Sequence, residues 1–251
     1  MDVMDILLFT EVFIGGLFGA FIGSISGGGG LIILPILLFA GLPVDVALAT
    51  CRFAGIGLGI GGASQYAKAK QIIWLYVAPL AVIGVIGAYI GTQILIKFDK
   101  QLLTDSVGYL ILFSLPLTIM KKDFGLYRRE RSTFLKIIGF IIFFFLSIWS
   151  GFFGAGSAPI FFYTYMAFFG FSIIQAAATN KIPLTIGALF TLGVFIAHDM
   201  VRFDIGAVLF VSTLIGSSLG ARMAISKGAA WAKAVFIVVV CVSAVKLILF
   251  S

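Results

Sequence analysis

Long apolar segments alternate with short polar ones along the whole chain. They cover residues 6–26, 30–40, 45–66, 73–96, 104–120, 134–152, 157–169, 172–197, 205–223 and 232–250. Most of them approach the length of about 20 residues that a helix needs to cross a bilayer. The pattern therefore predicts an all-α, polytopic membrane protein with short loops.

Small residues, instead of charged ones, separate two pairs of neighbouring segments. The first pair is divided by Ser26 and the glycine run 27–30, and the second by the sequence Gly-Ala-Gly-Ser at 154–157. Glycine costs a helix about 1 kcal/mol per position relative to alanine, so we expect both helices to break there. Segment 30–40 would be about 16 Å long as a helix. Because the hydrocarbon core is about 30 Å thick, one end of this segment must lie within the membrane, against protein or a cavity.

The two breaks belong to an internal repeat, because the chain aligns with itself at a shift of 129 residues. This shift places 47–50 on 176–179, Arg52 on Lys181, and Gly87 and Gly91 on Gly216 and Gly220. We predict a first membrane repeat over 1–120, a cytoplasmic basic linker over 121–133 and a second membrane repeat over 134–251, with about five helical segments in each repeat. Paired, glycine-interrupted short segments in matching positions point to the binding site of a transporter.

The composition is 61% hydrophobic and 11% charged, with a mean hydropathy of +1.20, which excludes a soluble domain of this size. The positive-inside rule explains the net charge of +7 without a nucleic-acid partner. If every segment changes side, the basic residues at 68–70 and 222–233 join the linker in the cytoplasm, and Lys97, Lys100 and Arg202 lie outside. The repeats are then inverted. If the short segments turn back instead, the repeats are parallel and more basic residues lie outside.

Polar groups near the breaks are candidate ligands for an anion. A helix that starts after a break presents free N–H groups and the positive end of its dipole, although close packing would also explain the glycines. Arg52 and Lys181 lie about 13 Å along their helices, where a buried charge is a functional candidate. The alternatives are that Arg52 caps carbonyls at a helix break or reaches Asp45, and that Lys181 snorkels. The predicted substrate-binding residues are Ser24, Ser26, Gly27, Gly28, Gly29, Gly30, Thr50, Arg52, Gly154, Ala155, Gly156, Ser157, Thr179, Asn180 and Lys181.

The stretch GSISGGGGLIILP at 23–35 closely resembles the first-half signature of the sulfite exporter TauE/SafE family, and GLPVDVALAT at 41–50 resembles its continuation. Residues 151–159 and 176–181 are similar to the second-half counterpart, with Ala155 and Ser157 where further glycines are common. The resemblance covers nearly the whole chain. It implies a multi-pass plasma-membrane transporter that exports sulfite, an organosulfonate or a related sulfur anion.

Other functions are an importer or passive channel for another small anion, a membrane-embedded enzyme, and a non-transporting partner subunit. An enzyme needs a nucleophile–base pair or a metal cluster. The chain has one histidine and two isolated cysteines, Cys51 and Cys241, which fit small core positions. We therefore expect no enzymatic activity, no cofactor and no metal. The expected partners are the lipid bilayer and a small anion that moves by alternating access. The identity of the anion, the direction of transport, the coupling ion and the oligomeric state stay open.

Overall fold

The described part of the molecule is built from α-helices joined by short loops, as the apolar pattern predicts. The computed structural model describes residues 3–27, 29–99, 101, 125–154 and 157–250, with side chains between residues 6 and 238 of those ranges. No strand occurs within them. The helices are α1 (Val3–Ser26), α2 (Gly30–Phe39), α3 (Val44–Lys68), α4 (Trp74–Lys97), α5 (Thr133–Phe152), α6 (Ser157–Phe168), α7 (Ile173–Ile196) and α8 (Phe203–Phe250).

Six of these helices are long and apolar enough to cross a membrane. They are Ile6–Ser26, Val44–Lys68, Trp74–Lys97, Thr133–Phe152, Ile173–Ile196 and Phe203–Val238. This confirms the prediction of a polytopic helical membrane protein. The expected segments 205–223 and 232–250 lie on either side of Gly228, where φ is +84°, so α8 consists of two helices that meet at this non-helical residue. The expected segment 104–120 and the first part of the linker, 121–124, lie outside the described residues.

Both glycine-containing separators break a helix. We call residues 27–29, between α1 and α2, the first break, and residues 153–156, between α5 and α6, the second break. Gly27 has φ +80° and Gly154 has φ +77°, a left-handed conformation that glycine adopts without steric cost. The short helices that follow have 10 residues in α2 and 12 in α6.

Helices from the two halves of the chain pack in pairs. α1 lies along α8, where Leu17 and Phe21 meet Gly216 and Gly220. Since both contact residues advance together, the two helices run in the same direction. α3 also runs with α8, because Leu58 accepts a hydrogen bond from Ser217 and Gln65 accepts one from Arg222.

The remaining long helices run the opposite way. α7 is antiparallel to α3, because Gly55 faces Ala188 while Gly62 faces Lys181. α4 runs with α7, since Ile73 meets Thr179 and Tyr89 meets Phe190. α5 runs with α4, because Gly87 meets Phe144 and Gly91 meets Ile148. The described helices therefore form two sets, α1, α3 and α8 against α4, α5 and α7.

The first break lies inside the bundle. α2 runs antiparallel to α1, with Ile33 against Gly19 and Gly29 against Gly23, as expected if each segment reverses the direction of the one before it. α3 passes Gly23 at Leu58 and continues to Lys68, about 15 Å further along. The start of α2 is therefore enclosed by protein, which supplies the setting that irregular backbone requires at membrane depth.

Candidate substrate cavity between the two helix breaks

A cavity of about 150 Å³ lies where the two breaks meet. The first break contacts the start of the helix that follows the second break, because a Cβ atom on Gly27 would lie 3.0 Å from the Cβ of Ala158 in α6. Apolar side chains from α2, α3, α5, α6 and α7 form most of the wall. The predicted site residues that line it are Gly27, Gly30, Arg52, Gly154, Ser157, Asn180 and Lys181.

The charged part of the lining is entirely cationic within the described residues. Arg52 comes from α3 and Lys181 from α7, and no described lining residue carries a carboxylate. Asn180 adds a polar side chain, and its Oδ1 lies 3.5 Å from the hydroxyl of Tyr165. The cavity therefore combines positive charge with an otherwise apolar wall.

Arg52 is bound to the second break. Its guanidinium donates hydrogen bonds to the carbonyl oxygens of Ser150, at 3.1 Å, and Gly151, at 2.9 Å, in the last turn of α5. The same group lies over the ring of Phe195, 5.5 Å from its centroid. The sequence left two alternatives for Arg52, a cap on helix-end carbonyls or a contact with Asp45. The structure shows the cap, on carbonyls that otherwise lack a partner inside the helix.

Lys181 has a different environment, although it occupies the matching position in the repeat. Its side chain is 2% exposed, so it does not reach the membrane surface as a snorkelling lysine would. The ammonium group forms no hydrogen bond or ion pair with any residue in the described part of the chain. The lysine therefore presents an uncommitted positive charge to the cavity.

At the first break the side-chain cap comes from Tyr66. The Tyr66 hydroxyl, buried in α3, donates a hydrogen bond of 2.9 Å to the carbonyl oxygen of Ser24 near the end of α1. The position that matches Tyr66 in the second half is Phe195, which has no hydroxyl. α3 therefore contributes a cap to each break, Tyr66 at the first and Arg52 at the second, and Thr92 of α4 also donates to the Gly151 carbonyl, at 3.4 Å.

Ser24, Ser26 and Gly29 lie beside the cavity and do not line it. The Ser24 hydroxyl is 3.2 Å from that of Ser217, and the Ser26 hydroxyl donates to the carbonyl of Ile22. Gly29 packs on α1, where a Cβ atom would lie 3.1 Å from the Cα of Gly23. Ser24 therefore joins α1 to α8 and Gly29 packs the start of α2 on α1, whereas the bond from Ser26 to Ile22 lies within α1.

Thr50 and Thr179 also lie outside the cavity lining, in matching roles. The Thr50 hydroxyl accepts a hydrogen bond of 3.2 Å from the backbone N–H of Arg202, just before α8. The Thr179 hydroxyl accepts one of 3.1 Å from the backbone N–H of Ile73, just before α4. Each threonine thus ties a central helix of one half to the start of the last described helix of the other half.

The starts of the two short helices face the cavity through Gly30 and Ser157. α2 begins without a side-chain cap, which leaves its positive end toward the cavity. At α6 the Ser157 hydroxyl lies 2.7 Å from the carbonyl oxygen of Gly154. Three predicted ligands, Gly28, Ala155 and Gly156, lie outside the described residues.

Sequence reasoning did not single out Tyr66, Phe195, Ser217 or Gly62 as parts of this region. A signal was available for the first two, because the shift that pairs Arg52 with Lys181 also pairs Tyr66 with Phe195. Ser217 and Gly62 carry no local signal, since their roles come from contacts between distant helices.

Comparison with known proteins identifies a family model and relatives that match most of this chain. The family model described as Sulfite exporter TauE/SafE matches residues 12–247. A probable membrane transporter protein of Haemophilus influenzae is 30% identical over 91% of this chain and 89% of its own length.

Two further similar proteins carry the same description. The probable membrane transporter protein ORF9 of a Sinorhizobium species is 27% identical over 96% of this chain and 91% of its own length. The probable membrane transporter protein YfcA of Escherichia coli K12 is 26% identical over 96% and 90%. No solved structure matches the chain.

Proposed function

The chain belongs to the sulfite exporter TauE/SafE family, and on that premise we propose that it exports a small sulfur-containing anion across the plasma membrane. The protein is a multi-pass membrane transporter. The proposed substrate class is sulfite, an organosulfonate or a related oxyanion. The outward direction rests on the description of the family.

One observation carries the proposal that the substrate is an anion. The cavity is lined by Arg52 and Lys181 and by no carboxylate among the described residues. A charge inside a protein costs several kcal/mol unless it is paired. An anion in the cavity would supply the missing partner, whereas a cation would be repelled from both sides.

The volume of the cavity favours a compact anion. A cavity of about 150 Å³ is the size that holds one benzene molecule. Sulfite and thiosulfate are small enough for such a space, but an aryl sulfonate, which adds a sulfonate group to a benzene ring, is too large for it. We therefore place inorganic sulfur oxyanions ahead of aromatic sulfonates as substrates.

Helix directions support alternating access as the mechanism of transport. α1, α3 and α8 run against α4, α5 and α7, so α1, α3 and α4, the long helices described in the first half, are antiparallel to α5, α7 and α8 at the matching positions of the second. Two halves in inverted orientation can exchange conformations and open one central site to either side of the membrane in turn. Lys181 and Asn180, with the start of α2, are the proposed ligands in that site.

Flux into liposomes tests the proposal directly. The purified protein would be reconstituted, and uptake of sulfite, thiosulfate, sulfate, an aryl sulfonate and chloride would be measured separately. We expect flux of sulfite or thiosulfate above that of protein-free liposomes, and a rise in the melting temperature Tm with the same anions. The proposal is wrong if none of the sulfur anions is transported or stabilises the protein.

A further inference from the structure

The two cavity cations differ in how many of their hydrogen bonds are already used. Arg52 donates to two carbonyl oxygens of α5, whereas the ammonium of Lys181 has no partner in the described part of the chain. We propose that Lys181 makes the charge-pairing contact with the transported anion, and that Arg52 serves to hold the second break. This inference rests on the proposed anion transport.

The position of Lys181 is set by α3, which leaves space for the lysine stem. A Cβ atom on Gly62 would lie 2.7 Å from the Cε of Lys181 and 2.8 Å from the Oγ of Ser217. The aliphatic part of the Lys181 side chain therefore occupies space that is available only because residue 62 is glycine. This packing keeps the ammonium in the interior, where Lys181 and Asn180 both line the cavity.

An ammonium has three N–H donors and no acceptor, so Lys181 can direct all of its donors to the oxygens of one bound oxyanion. Arg52 already directs two of its five N–H donors to the carbonyls of Ser150 and Gly151, and turning these donors toward an anion would leave the Ser150 carbonyl without the hydrogen bond that it accepts from Arg52 at the end of α5. Arg52 attracts the anion through its charge but does not need to move. The anion is thus held on the α7 side of the cavity.

Removing each cation should change the stability of the ligand-free protein in opposite directions. Lys181→Met deletes an unpaired buried charge, so we expect Tm to rise in a buffer whose only anion is gluconate. Arg52→Met deletes the cap of α5, so we expect Tm to fall. A role of Lys181 in packing alone predicts a lower Tm for both variants, and that result would overturn the proposal.

Anion binding is measured in the same buffer by calorimetry and by the shift of Tm on addition of sulfite, thiosulfate or chloride. We expect Lys181→Met to lose tenfold or more in affinity for sulfite, and Lys181→Arg to recover part of it. We expect a smaller loss for Arg52→Met, measured well below its own Tm. Equal affinity in wild type and Lys181→Met contradicts the inference, as does an equal loss in both methionine variants.

A second pair of variants keeps every charge and so covers the case in which Lys181→Met does not fold. Gly62→Ala displaces the lysine stem and should weaken sulfite binding, whereas Gly193→Ala on α7, which meets nothing within 4 Å, should bind sulfite as wild type does. Unchanged sulfite affinity in Gly62→Ala would argue against the proposed position. If wild type itself binds none of the anions, the proposed function fails, and not merely the role of Lys181.

Discussion

The two helix breaks share a left-handed glycine but differ in their chemistry. Each one begins the turn with a left-handed glycine, Gly27 or Gly154, and each is followed by a short helix that faces the cavity. At the first break a tyrosine hydroxyl caps the end of α1, and at the second a guanidinium caps the end of α5. Both of these side chains come from α3, and α7 donates to neither helix end within the described residues.

This difference illustrates how two similar repeats can form a site in which only one of two matching cations is available to a ligand. Matching positions carry Tyr66 and Phe195, and only the tyrosine has a hydroxyl that can satisfy a carbonyl. The positions that match Ser150 and Gly151 are Phe21 and Ile22, and the Ile22 carbonyl accepts a hydrogen bond from the Ser26 hydroxyl. Lys181, which matches Arg52, donates to no helix-end carbonyl within the described residues, so the two matching cations have different environments.

The largest expected effect tests whether the two halves are inverted at all. Single cysteines at Ala69, Gly228 and Met200, in a background without Cys51 and Cys241, would be labelled in intact cells with a membrane-impermeant thiol reagent. Only Met200→Cys should react, because the positive-inside rule places the other two positions in the cytoplasm. Labelling of Gly228→Cys from outside would favour parallel repeats and remove the basis of the comparison.

A second large effect concerns the paired interfaces, where the two halves should behave alike. A Cβ atom on Gly91 would collide with the backbone of Ile148, and one on Gly220 with the backbone of Phe21. Gly91→Leu and Gly220→Leu should each cost about 3 kcal/mol or more, since the backbones would have to separate. Size-exclusion profiles and Tm measure this, with Gly193→Leu as a lipid-facing control. Tolerance of either leucine would mean that the packing is looser than these contacts indicate.

A moderate effect should follow from removing the tyrosine cap. Tyr66→Phe leaves the Ser24 carbonyl without its donor and should cost about 1–3 kcal/mol. The variant also offers Lys181 a carbonyl to bind, so sulfite affinity should fall although no charge has changed. Calorimetry and Tm measurements on the same sample separate the two effects. If Tyr66→Phe lowers Tm but leaves sulfite affinity unaltered, Tyr66 is not what keeps Lys181 available.

The smallest expected effect concerns the two threonine ties, which should be equivalent. Thr50→Val and Thr179→Val each leave one backbone N–H without its acceptor, of Arg202 and of Ile73, at a cost of about 1 kcal/mol. Equal decreases in Tm, with sulfite affinity unchanged, would show that the halves are alike away from the breaks. A loss of sulfite affinity in either variant would place that threonine in the site after all.

Much of this architecture could be predicted from the sequence. The apolar segments correspond to the helices that the structure describes, and the glycine-containing separators correspond to the two breaks. The repeat also placed Arg52 and Lys181 at matching depths, and both line one cavity. These features are predictable because segment length, hydropathy and glycine conformation are local properties of the chain.

The partners of the polar side chains could not be predicted in the same way. Thr50 and Thr179 lie next to the cations in sequence but point to the starts of α8 and α4. Ser24 and Ser26 lie next to the glycines, yet their hydroxyls bond to neighbouring helix groups and not into the cavity. Adjacent helix positions face different neighbours, so closeness in sequence does not place two side chains in one site.

By itself, the sequence determined that this chain crosses the membrane repeatedly, that its helices break at two glycine-containing turns, and that two cations lie deep within apolar segments. Only the tertiary structure decided that Arg52 is hydrogen-bonded to the carbonyls of a helix end and that Lys181 has no such bond within the described residues. The physical reason is that a helix-end carbonyl accepts a hydrogen bond from the suitable donor that lies nearest to it in space. The donors at these two breaks, Tyr66 and Arg52, are brought there by α3 from positions 42 and 98–99 residues away along the chain.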